Sequence, residues 1–519
     1  MRGLENGKTR IRHSVFTEIA KAAYENRDLK QALEELPYKI VPGEIANYRD
    51  SIFEERAVVG ERLRLALGMP VREVTRYSTI SDGVNEANLE EKYYEKPLVN
   101  IVKFACNRCP DNVVTVTNLC QSCIEHPCEE VCPTKALVRV NGKPVIDDKK
   151  CIRCGRCTRE CKYHALQLEK RPCKEACGVN AIGMDDYGRA EINYDLCTSC
   201  GQCLVNCPFG AISDKSQIYQ VIKAIQSGTP VYVALAPSYV GQFGSGATPE
   251  KMVAAFKRLG FRDVYEVAIG ADLTVIEEAK DYLEEVPSKH KLMVTSCCPS
   301  WIAMVETAFP EFKYNISIAL TPMVLTARVI KKLHPGCKTV FVGPCDAKKL
   351  EARRPSVRGD VDYVLTFEEV LGMFDAKGVD VAEIPESETE PLTGSSASGR
   401  GFAYSGGVAE AVVQTIHEKD PGVEVKVAHA DGLAECKKLL LMARAGHYDG
   451  YLLEGMACPG GCVAGAGTLQ PVNQSRAAVE RYAKTAKFVC SADSEYGKYL
   501  PELEVKKESA DSNEASEEN

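Results

Sequence analysis

The sequence predicts an α/β C-terminal half, a cysteine-dense α+β middle and a small helical region in front. Three observations carry this. Over residues 216–505 short β-like runs alternate with helical patterns. Sixteen of the 24 cysteines fall within residues 96–215. Residues 1–95 hold no cysteine and show helix-compatible apolar spacing.

In the front region, Val15–Tyr24 and Glu54–Leu67 have helical spacing and few breakers, and are expected to pack against the next domain. In the C-terminal half, Val231–Leu235, Lys291–Thr295 and Thr339–Val342 read as strands, with helices at Pro249–Arg258 and Leu273–Glu285 between them. Glu386–Gly401, rich in Glu, Ser, Thr and Gly, reads as a loop or surface insertion. Lys506–Asn519 is acidic and Ser-rich without an apolar pattern, and reads as a disordered tail.

A chain of 519 residues has room for two to four domains. Its 45% hydrophobic and 26% charged residues are those of an ordinary soluble globular protein. A net charge of −8 argues against nucleic acid as the main partner. No apolar run reaches the roughly 18 residues of a membrane span. Met1–Phe16 is polar and basic, unlike a secretory signal, which points to the cytoplasm. In such a chain, clustered CxxC spacings imply metal or cluster binding rather than disulfides.

The spacing C-x2-C-x2-C-x3-C, often followed by Pro, is that of two-cluster ferredoxins, in which three thiolates hold one cube and the fourth reaches across to the other. Cys151, Cys154, Cys157 and Cys161 match it, as do Cys197, Cys200, Cys203 and Cys207 before Pro208. Cys120, Cys123, Cys128 and Cys132 before Pro133 match with one gap lengthened to four residues. Cys106, Cys109, Cys173 and Cys177 form two halves separated by 63 residues. A second repeat sorts these halves: Ala and an aliphatic residue follow the third gap residue after Cys132, Cys161, Cys177 and Cys207. Cys177 is then a fourth cysteine and Cys173 a third, with Cys106 and Cys109 as first and second. One two-cluster unit, about residues 115–170, is inserted inside another. The crossing rule gives Cys120/Cys123/Cys128/Cys161 and Cys151/Cys154/Cys157/Cys132 for the inner pair. It gives Cys106/Cys109/Cys173/Cys207 and Cys197/Cys200/Cys203/Cys177 for the outer pair. Zinc ribbons also use CxxC pairs, but four thiolates at these gaps with a trailing Pro suit cubanes better. Four cubanes in a row imply electron transfer over distance.

Three further motifs lack ferredoxin spacing. They are Thr295-Ser-Cys-Cys-Pro-Ser-Trp301, Gly343-Pro-Cys-Asp-Ala-Lys-Lys-Leu-Glu351 and Glu454-Gly-Met-Ala-Cys-Pro-Gly-Gly-Cys462. They gather five cysteines among glycines, which permit close backbone approach to a bulky inorganic group. Lys348, three residues after Cys345, suits an anionic ligand. Cys337, Cys436 and Cys490 fit no motif and read as buried free thiols.

In this order, the three motifs resemble the signatures of the [FeFe]-hydrogenase (iron-only hydrogenase) catalytic domain, over about residues 216–490. The cysteine-dense region resembles the accessory domains of the same family. The resemblance implies an iron-only hydrogenase large-domain-like α/β catalytic domain, preceded by α+β nested bacterial-ferredoxin-like domains and the small helical N-terminal region. It implies an H-cluster: a [4Fe–4S] cube bridged to a di-iron unit carrying CO, cyanide and an azadithiolate. Cys298, Cys345, Cys458 and Cys462 would hold the cube, and Cys462 would bridge to the di-iron unit. Lys348 would hydrogen-bond a cyanide, Met456 would pack beside the di-iron unit, and Ser296 and Pro344 would belong to the same cofactor-binding surround. Cys297 resembles the proton-relay thiol, followed by Glu278, Ser317 and Asp281. The two acids lie in the stretch opening at Gly270-Ala-Asp-Leu-Thr274 and, three residues apart, share a helix face.

Two departures stand out. Gly343 replaces the usual Met before Pro-Cys, and Gly465-Ala-Gly-Thr-Leu-Gln-Pro471 replaces the usual Gly-Gly-Gly-Gln-Pro. Both are expected to change packing around the di-iron unit and mark a divergent branch. The implied reaction is reversible proton reduction to hydrogen, with a ferredoxin or flavodoxin as electron partner and maturation proteins supplying the di-iron unit. A hydrogen sensor or an iron–sulfur assembly or carrier protein are the alternatives. The sensor lacks a distinct signalling region, and the carrier has no need of Cys297, Lys348 and Met456.

Overall fold

The computed structural model describes residues 3, 5–87, 96–392 and 394–503. The sequence-predicted tail, residues 506–519, lies outside them. Helices α1 (Gly7–Tyr24), α2 (Leu29–Ile40) and α3 (Ile52–Ala66) form the front region. The Asn6 side chain starts α1 in a reciprocal capping box with Thr9, which satisfies otherwise orphaned N–H groups. Contacts extend beyond the adjoining region, because α1 packs mainly on the helix Phe367–Lys377 of the C-terminal half. That approach needs Gly372, where a Cβ would stand 2.7 Å from the Cβ of Phe16.

Eight short strands follow: β1 (Val99–Ile101), β2 (Val113–Val116), β3 (Leu137–Val140), β4 (Lys143–Ile146), β5 (Leu166–Glu169), β6 (Ile182–Met184), β7 (Ala190–Ile192) and β8 (Ile212–Asp214). Their antiparallel pairing is nested. β2 pairs with β5 and β3 with β4, while β1 pairs with β8 and β6 with β7. The segment from β2 to β5 therefore sits as an insertion between β1 and β6.

The C-terminal half carries two parallel sheets. The first has the order β10-β9-β12-β13, from β9 (Val231–Leu235), β10 (Asp263–Glu266), β12 (Lys338–Gly343) and β13 (Tyr363–Thr366). The second has the order β11-β15-β14, from β11 (Met293–Val294), β14 (Lys426–Asp431) and β15 (Tyr451–Met456). All five residues of β9 are buried, as expected where helices cover both faces of a parallel sheet. β11 is shorter than the predicted Lys291–Thr295, and the predicted helix at Leu273 already starts at Val267. At Gly270 that helix meets the helix Pro322–Leu333, where a Cβ would stand 2.2 Å from the Pro322 carbonyl oxygen.

One expectation is corrected. Glu386–Gly401 is not wholly a surface insertion, because Ser395, Ser396 and Arg400 are buried and Ala397–Gly401 is helical. Asp272 accepts from the Ser396 N–H at 2.9 Å, and Glu266 accepts from Arg400 at 3.1 Å. The polar composition serves buried partners rather than solvent.

A buried ionic network joins the three regions. Lys349 meets Asp214 at 2.7 Å and Glu369 at 2.9 Å, and donates to the Lys215 carbonyl at 2.9 Å. Arg12 of α1 meets the same Asp214 at 3.2 Å and Glu368 at 2.8 Å.

Candidate metal centre

The second and third cysteine motifs, the first motif and the loop after β9 meet at one place. β9 runs into Ala236–Ser238, β11 into Cys297 and Cys298, β12 into Pro344 and Cys345, and β15 into Ala457 and Cys458. Carboxyl ends of strands from both sheets thus enclose a cavity of about 90 Å³ lined by these residues. Cys462, Lys348, Met456 and Phe341 also line it.

Burial pushes the thiols of Cys298, Cys345, Cys458 and Cys462 up, Cys462 to about 12. Cys345 is raised further by Cys298 and Cys462, and Cys458 by Cys345, Cys298 and Cys462. Four sulfurs that face one another in a buried space can all be thiolates only around a cationic core. Among the described residues no three His, Cys, Asp or Glu side chains close tightly enough for a single ion. A multi-iron cluster fits this donor set. N–H groups of Ala457, Trp301 and Ser300 turn to Cys298, the last two from the first turn of the helix Pro299–Ala308. That helix seats Trp301 against Gly455, where a Cβ would stand 2.2 Å from the indole, so motifs one and three are mutually fitted. Lys348 is held by Glu351 at 2.7 Å, and Glu351 accepts from Thr321 at 2.6 Å. A buried ammonium so fixed suits an anionic ligand.

The first departure has a structural counterpart. A Cβ at Gly343 would stand 2.5 Å from the ring of Phe341, which lines the cavity. The space usually given to a Met is thus taken by a neighbouring aromatic ring. We expect Gly343→Met to cost about 1–3 kcal/mol by overpacking. In a Phe341→Ala background the added cost is smaller, which a double-mutant cycle on thermal unfolding reads directly. In the second departure, Ala466 packs against Gly201, where a Cβ would lie 2.4 Å from the Ala466 Cβ.

Cys297 is buried and lines the same cavity as the four thiols of Cys298, Cys345, Cys458 and Cys462. Burial raises its thiol well above the usual value, and Glu278 adds to the effect. Glu278 is fully buried, and its Oε1 accepts from the Ser296 N–H at 3.0 Å and the Ser296 hydroxyl at 3.2 Å. Ser296 is not among the residues lining the cavity; its hydroxyl also reaches the Ala319 carbonyl at 2.9 Å. The Ala319 N–H donates to the Ser317 hydroxyl at 3.2 Å. Asp281 is buried one turn beyond Glu278 on the same helix. The sequence reading assigned no role to Glu454. Its two oxygens accept from the N–H groups of Gly406 and Ala409, each at 2.8 Å, while burial lifts its carboxyl to about 7. Glu278 pushes Glu454 the same way. A carboxylate inside an otherwise apolar strand (Tyr451–Met456) was the available signal.

The sixteen other motif cysteines share one loop geometry. Arg108, Ser122, Arg153 and Ser199, each just before the second cysteine of its motif, have φ of 51–57°. Lys135, His164, Asn180 and Gly210, three residues after the fourth cysteine, have φ of 49–56°. The next residue, Ala136, Ala165, Ala181 or Ala211, donates its N–H to that cysteine's sulfur at 3.2–3.4 Å. Left-handed non-glycine residues are uncommon, so their recurrence marks a fixed wrapping of the loop. The split set obeys it like the others. Burial raises Cys157 to about 11, and Cys132, Cys151 and Cys154 add to this. Burial raises Cys173 likewise, with Cys207, Cys106 and Cys109 adding. Cys203 faces Cys200, Cys197 and Cys177, and Cys128 faces Cys161 and Cys123, on the loop that Cys120 opens. Cys200 lines the central cavity and acts on Cys458. The Ser300 hydroxyl donates to the Thr198 carbonyl at 2.9 Å. The Cys197/Cys200/Cys203/Cys177 set is therefore the neighbour of the central site. Cys337, Cys436 and Cys490 are buried outside these sets.

The family model described as iron only hydrogenase large subunit, C-terminal domain, matches residues 229–466. One for a 4Fe-4S dicluster domain matches residues 150–211, so this is an iron–sulfur protein. That second range joins the last cysteine motif of the insertion to the last motif of the surrounding unit, and so cuts across the pairing of β2 with β5. The NADP-reducing hydrogenase subunit HndD of Solidesulfovibrio fructosivorans is 32% identical over 63% of this chain, and the chain spans 65% of its length. The periplasmic [Fe] hydrogenase large subunit of Nitratidesulfovibrio vulgaris is 32% identical over 48% of this chain and 69% of its own. Cytosolic iron-sulfur assembly component 3 of Mus musculus is 26% identical over 54% of this chain and 72% of its own. The chain belongs to the iron-only hydrogenase family.

Proposed function

We propose that the protein catalyses 2H⁺ + 2e⁻ ⇌ H₂ at an H-cluster in the central cavity, with electrons relayed through four accessory [4Fe–4S] clusters. The observation that carries this reading is the meeting of Cys297, Lys348 and Met456 with four facing thiols in one cavity. Cys298, Cys345, Cys458 and Cys462 would hold the cube, with Cys462 next to the di-iron unit. When bound, the di-iron unit supplies the open iron position at which hydrogen is made and split. The chain's own residues do the rest. Lys348, fixed by Glu351, offers donors to an anionic cyanide. Met456, Phe341 and Pro344 keep the cavity apolar and exclude water. Cys297, kept a neutral thiol by burial, carries a proton at Sγ. Glu278, oriented by Ser296, exchanges that proton, and Ser317 and Asp281 extend the path outward.

Each accessory cluster uses the crossed set of cysteines. The proposed order runs from the inserted unit, through the Cys106 set, to the Cys197 set, whose Cys200 lines the central cavity. The domain reading is a helical region to about residue 95, nested ferredoxin-like units to 215 and a catalytic domain beyond. A ferredoxin or flavodoxin is the electron partner, and maturation proteins insert the di-iron unit. Thiols committed to clusters fit a reducing, anaerobic cytoplasm. Among the described residues no helix is long and apolar enough to cross a membrane.

The likeness to an iron–sulfur assembly component favours a second reading, a cubane protein without hydrogen chemistry. The two separate in an anaerobic assay with dithionite-reduced methyl viologen. The matured chain evolves hydrogen and the chain lacking the di-iron unit does not. If neither evolves hydrogen at equal cubane content, the assembly reading stands.

A further inference from the structure

A groove of about 370 Å³ opens beside Cys106, between the front helical region and the surrounding two-cluster unit. Arg49, Lys103, Arg108 and Arg189 line it with two acids, Asp50 and Glu54, and Arg189 is itself paired with Asp185 at 2.9 Å, so Arg49, Lys103 and Arg108 carry the excess positive charge. Phe104 and Tyr48 leave 47% and 41% of their surfaces exposed there. The wall from the front region is built to hold its shape. Fully buried Glu55 gathers the N–H groups of Asn47, Tyr48 and Arg49 at 2.5–3.0 Å, and Arg49 donates to the Ala105 carbonyl at 2.7 Å. On a chain of net charge −8, a rigid basic rim around exposed aromatic rings, with a cluster cysteine at its base, is a local inversion of charge.

We propose that this groove docks an acidic one-electron carrier protein, and that electrons can thus reach the Cys106/Cys109/Cys173/Cys207 cluster without crossing the inserted unit. The inference rests on the cluster assignments above. It also gives the front helices a function, which is to form one wall of the port. Complementary charge would steer the encounter, and the apolar rings would exclude water at contact. Each encounter oxidises the carrier by one electron and reduces the cubane by one; no bond or proton moves, and two encounters serve one H₂.

The test follows oxidation of a dithionite-reduced, acidic two-cluster bacterial ferredoxin by the cluster-loaded full chain, with amide exchange of the complex. Lys103→Glu should slow the second-order transfer about tenfold at low salt, with the difference fading at high salt. Phe104→Gln, which keeps the charge, should also slow it. Protection should cover residues 47–54 and 103–108. Lys162→Glu on the inserted unit is the comparator. Unchanged rates in both groove variants, with protection confined to residues 119–163, would overturn the port. Neither readout needs hydrogen. A chain that evolves none yet shows Lys103-dependent transfer fails the proposed reaction and keeps the port.

Discussion

Cys297→Ala is expected to lower hydrogen evolution by about 10²–10⁴-fold, the usual contribution of a positioned proton-transfer group. Of the five thiols that the three motifs of the C-terminal half bring to the cavity, it is the one outside the proposed cube. Its neighbour Glu278 is fully buried and held by Ser296, so the loss of one sulfur disconnects the cavity from the acid behind it. Alanine leaves the backbone and the four thiols of the proposed cube in place, so iron content and cube spectra should match those of the wild type. Rates compared at equal cluster content check this. A loss below threefold would move the proton path elsewhere, with Glu454 the next candidate, since it too is buried and faces Glu278.

The second large effect concerns stability. Lys349→Met should destabilise the protein by about 3–5 kcal/mol, because removing one partner strands buried charge. Lys349 is fully buried, and its loss leaves Glu369 without its 2.9 Å partner and Asp214 with Arg12 alone. Burial by itself would raise the Asp214 carboxyl, but Lys349 and then Arg12 outweigh it and hold the group below its ordinary 3.8. A depressed acid stabilises the fold fully above its unfolded value and loses that share as the pH falls through the lower folded value. The wild type should therefore lose more stability than Lys349→Met on acidification below about pH 4. Anaerobic urea unfolding at a series of pH values measures both the offset and its convergence. Equal midpoints at neutral pH would show that the network contributes nothing net.

What the sequence made legible was whatever repeats or is local. The split cysteine set was sorted by the Ala that follows each fourth cysteine, and the structure supplies the reason: that Ala donates its N–H to the sulfur. The strand Val231–Leu235 was readable because both its faces are buried. The contacts that were not legible join distant segments. Phe341 takes the space beside Gly343 through side-chain packing that no motif encodes. Ser396 looked like loop composition because its partner, Asp272, lies 124 residues away. Lys349 sits next to the conspicuous Lys348, yet its partners come from β8 and the helix Phe367–Lys377. The packing of α1 on that same helix was equally invisible, since Gly372 gives no sign of the Phe16 it admits.

The most direct test of the central claim is infrared spectroscopy of the anaerobically matured chain beside its Cys462→Ala variant. Bands in the CO and cyanide stretching regions, present in the wild type and lost in the variant, are the predicted result. A fully matured wild type with its cubanes in place and no such bands would contradict a di-iron unit in this cavity.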